Sequence, residues 1–470
     1  MFSSGGEALA RHGTTALRSA LMAAISVTLA TSLWAPGPAS AAIVPPGQDP
    51  FYTYSGDLQT AAPGAVLKRR SVDIVLAGGT QTPIAAEQLL FRTSNELGAP
   101  ALGVTTVIPP LTGAVLPKIV SWQPFYDSLG PDCDPSYALR GGGNPLGCSD
   151  DAQLEESAAS TFLSQGDTVV MTDYEETNEA YGAGRLEGYA TLDGIRAAET
   201  YLHDTPASTP VAMVGYSGGA IASQWAAELA PAYAPHVDLV GTAAGGVFVD
   251  PFHSLSFING NGTGWSDVIP VYLILLQRAF GVPVAPYLSP LGVKVYQADE
   301  NTSIGDFTTT GFTTFQQLVK PQYSDVSKVR PFVQALDQLI MGSDGTPKSP
   351  IFLGNGEGTK NNGWNGDGIM ITGDVEGLAH EYCNRGVPVE FQVYSGLPHV
   401  EAFAPFISYA IPYLTDRLNG LPPPSNCASI GTGNSLAPQP IPAAPSSARD
   451  RKHSRPRTRH RRDRKHARHR

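Results

Sequence analysis

The sequence predicts an α/β protein: a mainly parallel, doubly wound sheet with helices on both faces and a cap inserted late in the chain. Three observations carry that prediction. Short apolar, β-branched runs lack the polar alternation of a half-exposed sheet, so both of their faces are expected to be covered. Longer helix-like segments separate them, the order that builds a parallel sheet. The alternation stops near Asp250 and resumes near Pro350, leaving an interval with a different pattern.

At the start of the chain, Arg11 and Arg18 flank the approach to an apolar stretch from Leu21 to Leu33, and Ala39-Ser40-Ala41 has the small-x-small pattern that a signal peptidase needs. Residues 1–41 therefore read as a cleaved export signal, with Ala42 as the mature N-terminus. A spanning helix needs about 20 apolar residues; this stretch is shorter and ends at Pro36, Gly37 and Pro38. From Ala42 to residue 80 the chain is rich in Pro, Gly and Ala and reads as an arm over the domain. Leu89 to Thr93 and Ala101 to Ile108 read as extended runs joined by a turn at Ser94 to Gly98, an antiparallel entry to the sheet. Lys118 to Trp122, Thr168 to Met171, Val211 to Val214, Val237 to Val240, Ile351 to Leu353 and Val389 to Val393 are the buried-type strands. Leu186 to His203, Ala220 to Leu229, Val375 to Asn384 and Ala402 to Leu418 are the helices between them.

The interval after Asp250 holds the strongest later apolar run, Val268 to Leu276, nine residues between Asp267 and Gln277. It is too short to cross a bilayer, so no transmembrane segment is expected after signal cleavage. After Gly420 the composition turns to Pro, Ser and Ala, and beyond Asn426 the chain is expected to be disordered up to its basic end. The resulting division is a signal at 1–41, an α/β domain at 42–250 and 346–427, a cap or lid at 251–345, and a disordered linker with a basic tail at 428–470.

The formal charge of −11 hides two opposed parts, because from Arg449 onward 12 Lys or Arg stand against only Asp450 and Asp463. An acidic globule bears a basic tail able to meet polyanions or the cell envelope. Export makes nucleic acid an unsuitable partner, so none is expected. The four cysteines, Cys133, Cys148, Cys383 and Cys427, form an even set in an exported chain. The sequence-local pairs, Cys133 with Cys148 and Cys383 with Cys427, are the expected disulfides. No His-Glu-x-x-His or Cys-x-x-Cys occurs, so neither a metal nor another cofactor is expected.

The chemistry concentrates at Gly215-Tyr216-Ser217-Gly218-Gly219. With 50 glycines in the chain the pentapeptide is weak alone. Its context raises it: Val211 to Val214 is a buried-type strand and Ala220 to Leu229 an Ala-rich helix. A strand turning sharply into a helix through this motif is the nucleophile elbow of α/β-hydrolases. Ser217 is then the nucleophile, and the Gly218 amide at the helix N-terminus is an oxyanion donor.

A serine needs a base, and on this sheet the partners follow in the order Ser, Asp or Glu, His. Of ten histidines, four lie in the tail and His12 lies in the signal. Among His203, His236, His253, His380 and His399, only the last two follow Ser217 far enough. His380 sits in a helical pattern beside Glu381; His399 stands in a loop directly after the strand ending at Tyr394, where the base belongs. The acid should follow the Ile351 strand. Asp367, in the compact turn Gly366-Asp367-Gly368, is favoured over Glu357, with Asp374 behind both.

The chain resembles the secretory lipases of fungi and actinobacteria. The similarity lies in Phe91-Arg92-Thr93-Ser94-Asn95-Glu96-Leu97-Gly98, Val120-Ser121-Trp122-Gln123 through Tyr126-Asp127-Ser128, and Asp132-Cys133-Asp134-Pro135-Ser136-Tyr137. It continues through the serine segment, Tyr382-Cys383 with Gly386-Val387, and Tyr394-Ser395-Gly396 with His399, covering residues from about 50 to about 427. The resemblance implies an α/β-hydrolase with an inserted lid, acting on carboxylic esters without a cofactor. It implies Ser217 as nucleophile, Asp367 as acid, His399 as base and Asp127 as the second oxyanion donor. Two departures stand out. Residues 355–366 form a longer, Gly- and Asn-rich approach to the acid, which keeps Glu357 open. The family's distant lid cysteine is missing, which makes Cys148 the substitute partner of Cys133.

These residues predict acyl transfer through an ester on Ser217, in a secreted triacylglycerol lipase or carboxylesterase. Two rivals use the same chain differently. One is an acyltransferase that delivers the acyl group to an envelope alcohol. The other is a catalytically silent hydrolase fold that binds a surface through the basic tail.

Overall fold

The chain enters its sheet through three antiparallel strands, β1 (Val66–Ile74), β2 (Ile84–Ser94) and β3 (Pro100–Ile108). The computed structural model describes residues 43–74, 83–113, 118–143, 148–203, 208–260, 262–304, 307 and 313–444. The signal expected at 1–41 and the basic tail from 449 lie outside the described residues.

β3 pairs antiparallel with β5 (Thr168–Thr172), and from there the sheet is parallel: β4 (Ile119–Gln123), β6 (Pro210–Tyr216), β7 (Asp238–Gly245), β8 (Ile351–Glu357) and β11 (Val389–Ser395). The full order is β1-β2-β3-β5-β4-β6-β7-β8-β11, nine strands among the described residues. Every residue of β4 and β5 is buried, as runs without polar alternation require when helices cover both faces. Along β6, Val211 and Met213 join the core under α3 (Gly184–Leu202) and α4 (Gly218–Tyr233). Ala212 and Val214 join the opposite core with Phe162 and Leu163 of α2 (Cys148–Gln165) and Phe406 and Leu414 of α11 (His399–Leu418). Ahead of α2 stands one short turn of helix, α1 (Pro135–Ala138).

The strand β1 lies inside the segment read as an arm. Its exposure alternates along Lys68-Arg69-Arg70-Ser71, the charged pattern of a sheet edge, which resembles a loop when read by composition alone.

Between β7 and β8 the chain leaves the sheet and folds as helices: α5 (Pro251–Ile258), α6 (Ile269–Phe280), α7 (Pro290–Asp299), α8 (Phe315–Leu318) and α9 (Arg330–Leu336). Ile269 to Leu276 of α6 are all buried, so the first two turns of this helix are wrapped by protein on every side. After β8 comes a small hairpin, β9 (Thr359–Asn361) with β10 (Trp364–Gly366), in the segment read as a long loop. α10 (Thr372–Asn384) and β11 complete the sheet side, and α11 begins at His399, three residues ahead of the predicted start at Ala402.

Disorder was expected from residue 428, but residues 428–444 run as an ordered, irregular strap. Asn434 N–H donates to the Gly373 carbonyl (2.7 Å) and its side chain to Asp374 Oδ1 (2.7 Å). Gln439 N–H donates to Asp337 (2.9 Å) and Arg330 to the Pro442 carbonyl (2.7 Å). Backbone groups satisfied one at a time by helix caps and side chains hold this Pro-rich strand in place without a periodic signal. Cys383 and Cys427 form a disulfide that ties α10 to the start of the strap. The side chain of Cys148, expected to pair with Cys133, lies outside the described residues. No helix among the described residues is long and apolar enough to cross a membrane.

Candidate active site

The central strand β6 ends at Tyr216, and α4 starts at Gly218. Ser217 between them has φ 54° and ψ −120°, a conformation that costs a non-glycine residue about 1–3 kcal/mol and persists only where the surroundings impose it. Its N–H donates to the Gly245 carbonyl on β7 (2.8 Å). The flanking glycines follow from close approach. A Cβ at Gly215 would strike the Gly219 carbonyl, and one at Gly219 would strike the Gln123 carbonyl at the end of β4. Larger residues at either position would push helix, turn and neighbouring strand apart.

His399 Nε2 lies 2.8 Å from Ser217 Oγ, and His399 Nδ1 lies 2.6 Å from Asp367 Oδ2. With the carboxylate accepting from Nδ1–H, the Nε2 lone pair faces the serine hydroxyl. Asp367 is fully buried; its other oxygen accepts from the amides of Ile369 (3.0 Å) and Met370 (2.7 Å). His399 N–H also donates to the Asp367 carbonyl (2.8 Å), so residue 367 fixes both the backbone and the ring of the histidine. The Tyr216 hydroxyl donates to the His399 carbonyl (2.6 Å). The Trp265 ring meets the imidazole edge-on with centroids 5.6 Å apart. At Gly246, φ is +58° and an added Cβ would stand 2.7 Å from His399 Cε1, so only glycine leaves room for the ring.

The fold thus brings Ser217, His399 and Asp367 together. The hairpin of β9 and β10 carries the chain from β8 round to Asp367. Glu357, the alternative acid, stays at the end of β8, where its carbonyl accepts from Gly396 N–H (2.9 Å). Asp374 is engaged elsewhere, with His253 Nδ1 (3.0 Å) and Asn434. His380 lies within α10.

Gly218, as the first residue of α4, has an amide without an intrahelical acceptor. Asp127, in the irregular segment after β4, is buried, has φ +40°, and lies so close to Gly218 that a Cβ there would strike its carboxyl group. The Asp127 side chain is hydrogen-bonded to Tyr181. Among the described residues no group of three or more His, Cys, Asp or Glu is arranged to hold a metal ion.

Sequence reasoning missed the acidic wall behind this segment. Asp173, Glu175, Glu176 and Glu179 follow β5 in a charge-dense run that by composition belongs on the surface, yet all four are buried. Asp134 and Glu187 are buried beside them. Glu175 accepts from Ser128 N–H (3.2 Å), and Asp173 accepts from Ser136 N–H (2.8 Å) and Oγ (2.6 Å). Burial, reinforced by neighbouring carboxylates, pushes Glu179 up to about 8 and Asp134, Glu175, Glu176 and Glu187 well above the carboxyl range. Burial raises Asp173 to about 7 against its hydrogen bonds from Ser136, and burial with a smaller push from the Asp344 carboxylate raises Glu96 and Glu228 to about 7.

These groups hold protons in the folded state that the unfolded chain gives up near pH 4 to 5. Their stabilisation is complete below that range and is lost as pH rises through 7 to 8. The melting temperature is therefore expected to be highest under mildly acidic conditions and to fall by roughly 5 °C or more between pH 5 and 8. Calorimetry across that range checks the sign; a melting temperature that climbs toward pH 8 contradicts it.

The Secretory lipase family model matches residues 148–426. The chain is 30% identical over 393 residues to a probable inactive lipase of Mycobacterium tuberculosis, covering 80% of this chain and 83% of that protein. It is 29% identical over 418 residues to a secreted triacylglycerol lipase of Malassezia restricta, covering 84% of this chain and 78% of that one. Among solved structures, Candida antarctica lipase A superposes with a TM-score of 0.73 at 27% identity, covering 85% of this chain and 92% of that chain. The fold is that of the α/β-hydrolases, and the chain belongs to the secretory lipase family.

Proposed function

We propose that the protein is an exported serine ester hydrolase, a triacylglycerol lipase or carboxylesterase, acting through an acyl-enzyme on Ser217. The observation that carries this reading is the hydrogen-bonded series Ser217 Oγ, His399 Nε2 and Nδ1, Asp367 Oδ2 at a strained strand-to-helix turn. His399 takes the serine proton as Oγ attacks the ester carbonyl, and the Asp367 carboxylate steadies the imidazolium. The negative charge that develops on the carbonyl oxygen is held by the amides of Gly218 and Asp127. Collapse of the tetrahedral intermediate breaks the C–O bond to the alcohol, which leaves with the proton from His399. Water then attacks the acyl-enzyme, with His399 again as base, and frees the carboxylic acid and Ser217.

In this reading residues 1–41 are the cleaved export signal, 42–250 and 346–427 carry the chemistry, and the helices at 251–345 form a cap. The buried run Ile269 to Leu276 of α6 and Trp265, whose ring meets His399, support a cap that offers acyl chains an apolar environment. The basic segment from Arg449 would meet polyanions or the envelope through charge, an attraction that weakens as salt rises. A silent surface-binding fold has one observation in its favour, the relative named a probable inactive lipase. The intact Ser217, His399 and Asp367 series weighs against it.

The mature protein is expected to hydrolyse p-nitrophenyl esters, and its rates across short to long acyl chains rank lipase against short-chain esterase. Acyl transfer to an added alcohol without hydrolysis would select the acyltransferase instead. Inertness toward every ester, with and without acceptor, would select the surface-binding reading.

A further inference from the structure

The segment that carries Asp127 has no regular structure of its own, and a buried residue with φ +40° keeps that conformation only if its neighbours impose it. Much of what imposes it comes from the helical insertion. Ile304 N–H donates to the Asp127 carbonyl (3.0 Å), and Leu129 N–H donates to the Thr302 carbonyl (2.8 Å). Ser128 and Ser303 form an antiparallel bridge. At Gly130 an added Cβ would stand 2.7 Å from the Asn301 carbonyl, so the two backbones are in direct contact. Residues 301–304 thus lie along residues 127–130 as a short strand.

One side chain ties this strand, the segment beside it and the acidic wall together. Arg278, in the last turn of α6, donates to the carbonyls of Leu129 (2.8 Å) and Glu179 (2.7 Å) through one nitrogen and to the Glu300 carbonyl through another. Its own carbonyl accepts from Asn178 (3.0 Å). The three accepting carbonyls belong to three separate segments: the loop after β4, the loop after β5, and the end of α7 leading into 301–304. A planar guanidinium with five donors can bridge three carbonyls in fixed relative positions; an ammonium, compact and rotatable, cannot reproduce that fork.

We propose that Arg278 is a positioning residue for ester hydrolysis, clamping the Asp127 segment so that its amide meets the developing oxyanion. The inference rests on the reading of Ser217 as nucleophile with Asp127 as oxyanion donor. Arg278 makes no contact with Ser217, His399 or Asp367 among its described hydrogen bonds. Its loss should therefore loosen transition-state stabilisation and leave the base and the binding of ground-state ester in place. The cap then acts on the chemistry as well as on access to it.

The test compares full-length mature wild type, Arg278→Gln and Arg278→Lys in steady-state hydrolysis of one p-nitrophenyl ester, with Ser217→Ala in parallel. Losing one oxyanion donor outright costs about 10²- to 10³-fold; loosening one should cost roughly 10- to 100-fold in kcat. KM should stay within about twofold, since ground-state binding is untouched. The acid limb of the pH profile should not move, because His399 keeps its partners. Lysine should restore little, and millimolar guanidinium should restore part of kcat to Arg278→Ala.

A purely structural arginine would lower the melting temperature and the fraction of active protein without this kcat signature or rescue. Wild-type kcat in a folded Arg278→Gln, or an effect confined to KM, overturns the clamp. If the glutamine chain does not fold, wild-type kcat in Arg278→Lys overturns it equally. Activity in wild type that vanishes in Ser217→Ala secures the underlying reading separately, so failure of the clamp is not confused with failure of that reading.

Discussion

The Ser217→Ala variant is expected to lose ester hydrolysis by about 10⁴-fold or more in kcat, with KM changed little. In the proposed mechanism the hydroxyl is the atom that forms the acyl bond, and it lies 2.8 Å from His399 Nε2, the proposed base. Alanine fits the turn as well as serine does, because the strain at φ 54° belongs to the backbone. The variant should fold with a melting temperature at or above that of the wild type, which separates loss of chemistry from loss of structure. Residual activity above about one per cent of wild type, with the fold intact, would point to another nucleophile.

Asp367→Asn is the second large effect, with kcat expected to fall by about 10⁴-fold. The reason lies in which groups already surround the carboxylate. One oxygen accepts from the amides of Ile369 and Met370, so an asparagine would keep its carbonyl oxygen there and turn its NH₂ toward His399 Nδ1. The imidazole would then protonate Nε2, which would donate toward Ser217 Oγ rather than accept from it. Base and nucleophile would be paired the wrong way round, with almost no change in shape. Glu357→Gln, by contrast, should leave kcat within about twofold, since His399 Nδ1 is already paired with Asp367 Oδ2. Equal sensitivity of the two positions, or the reverse order, would transfer the acid role to Glu357.

The parts of the site that could be read from sequence are those in which local pattern and chemistry coincide. Ser217 is legible because a buried strand, a Gly-flanked serine and an Ala-rich helix stand in unbroken order. His399 is legible because only two histidines follow the serine at a useful distance, and one of them carries a helical pattern. Asp367 was favoured over Glu357 by turn composition and by the family resemblance. What brings it to His399 is the three-residue strands β9 and β10, whose Gly- and Asn-rich sequence has no periodicity long enough to mark a strand.

Other features depend on contacts between residues far apart in the chain. Asp127 entered through family resemblance, and nothing near it in sequence announces a left-handed residue pressed against Gly218. Arg278 reaches backbone carbonyls 149, 99 and 22 positions away. The buried acids after β5 invert the usual rule that charged runs face water, and they can do so because burial keeps several of them protonated. Strand β1 and the strap at 428–444 were missed for the converse reason. Both are polar or Pro-rich, and both are held by partners that local composition does not encode.

The most direct test of the central claim is to treat the mature protein with a p-nitrophenyl phosphonate and map the adduct by peptide mass spectrometry. A single phosphonyl group on the peptide containing Ser217, absent in Ser217→Ala and formed much more slowly in His399→Ala, is the result this account requires. An unmodified Ser217 in a folded protein, or an adduct on a different residue, would contradict it.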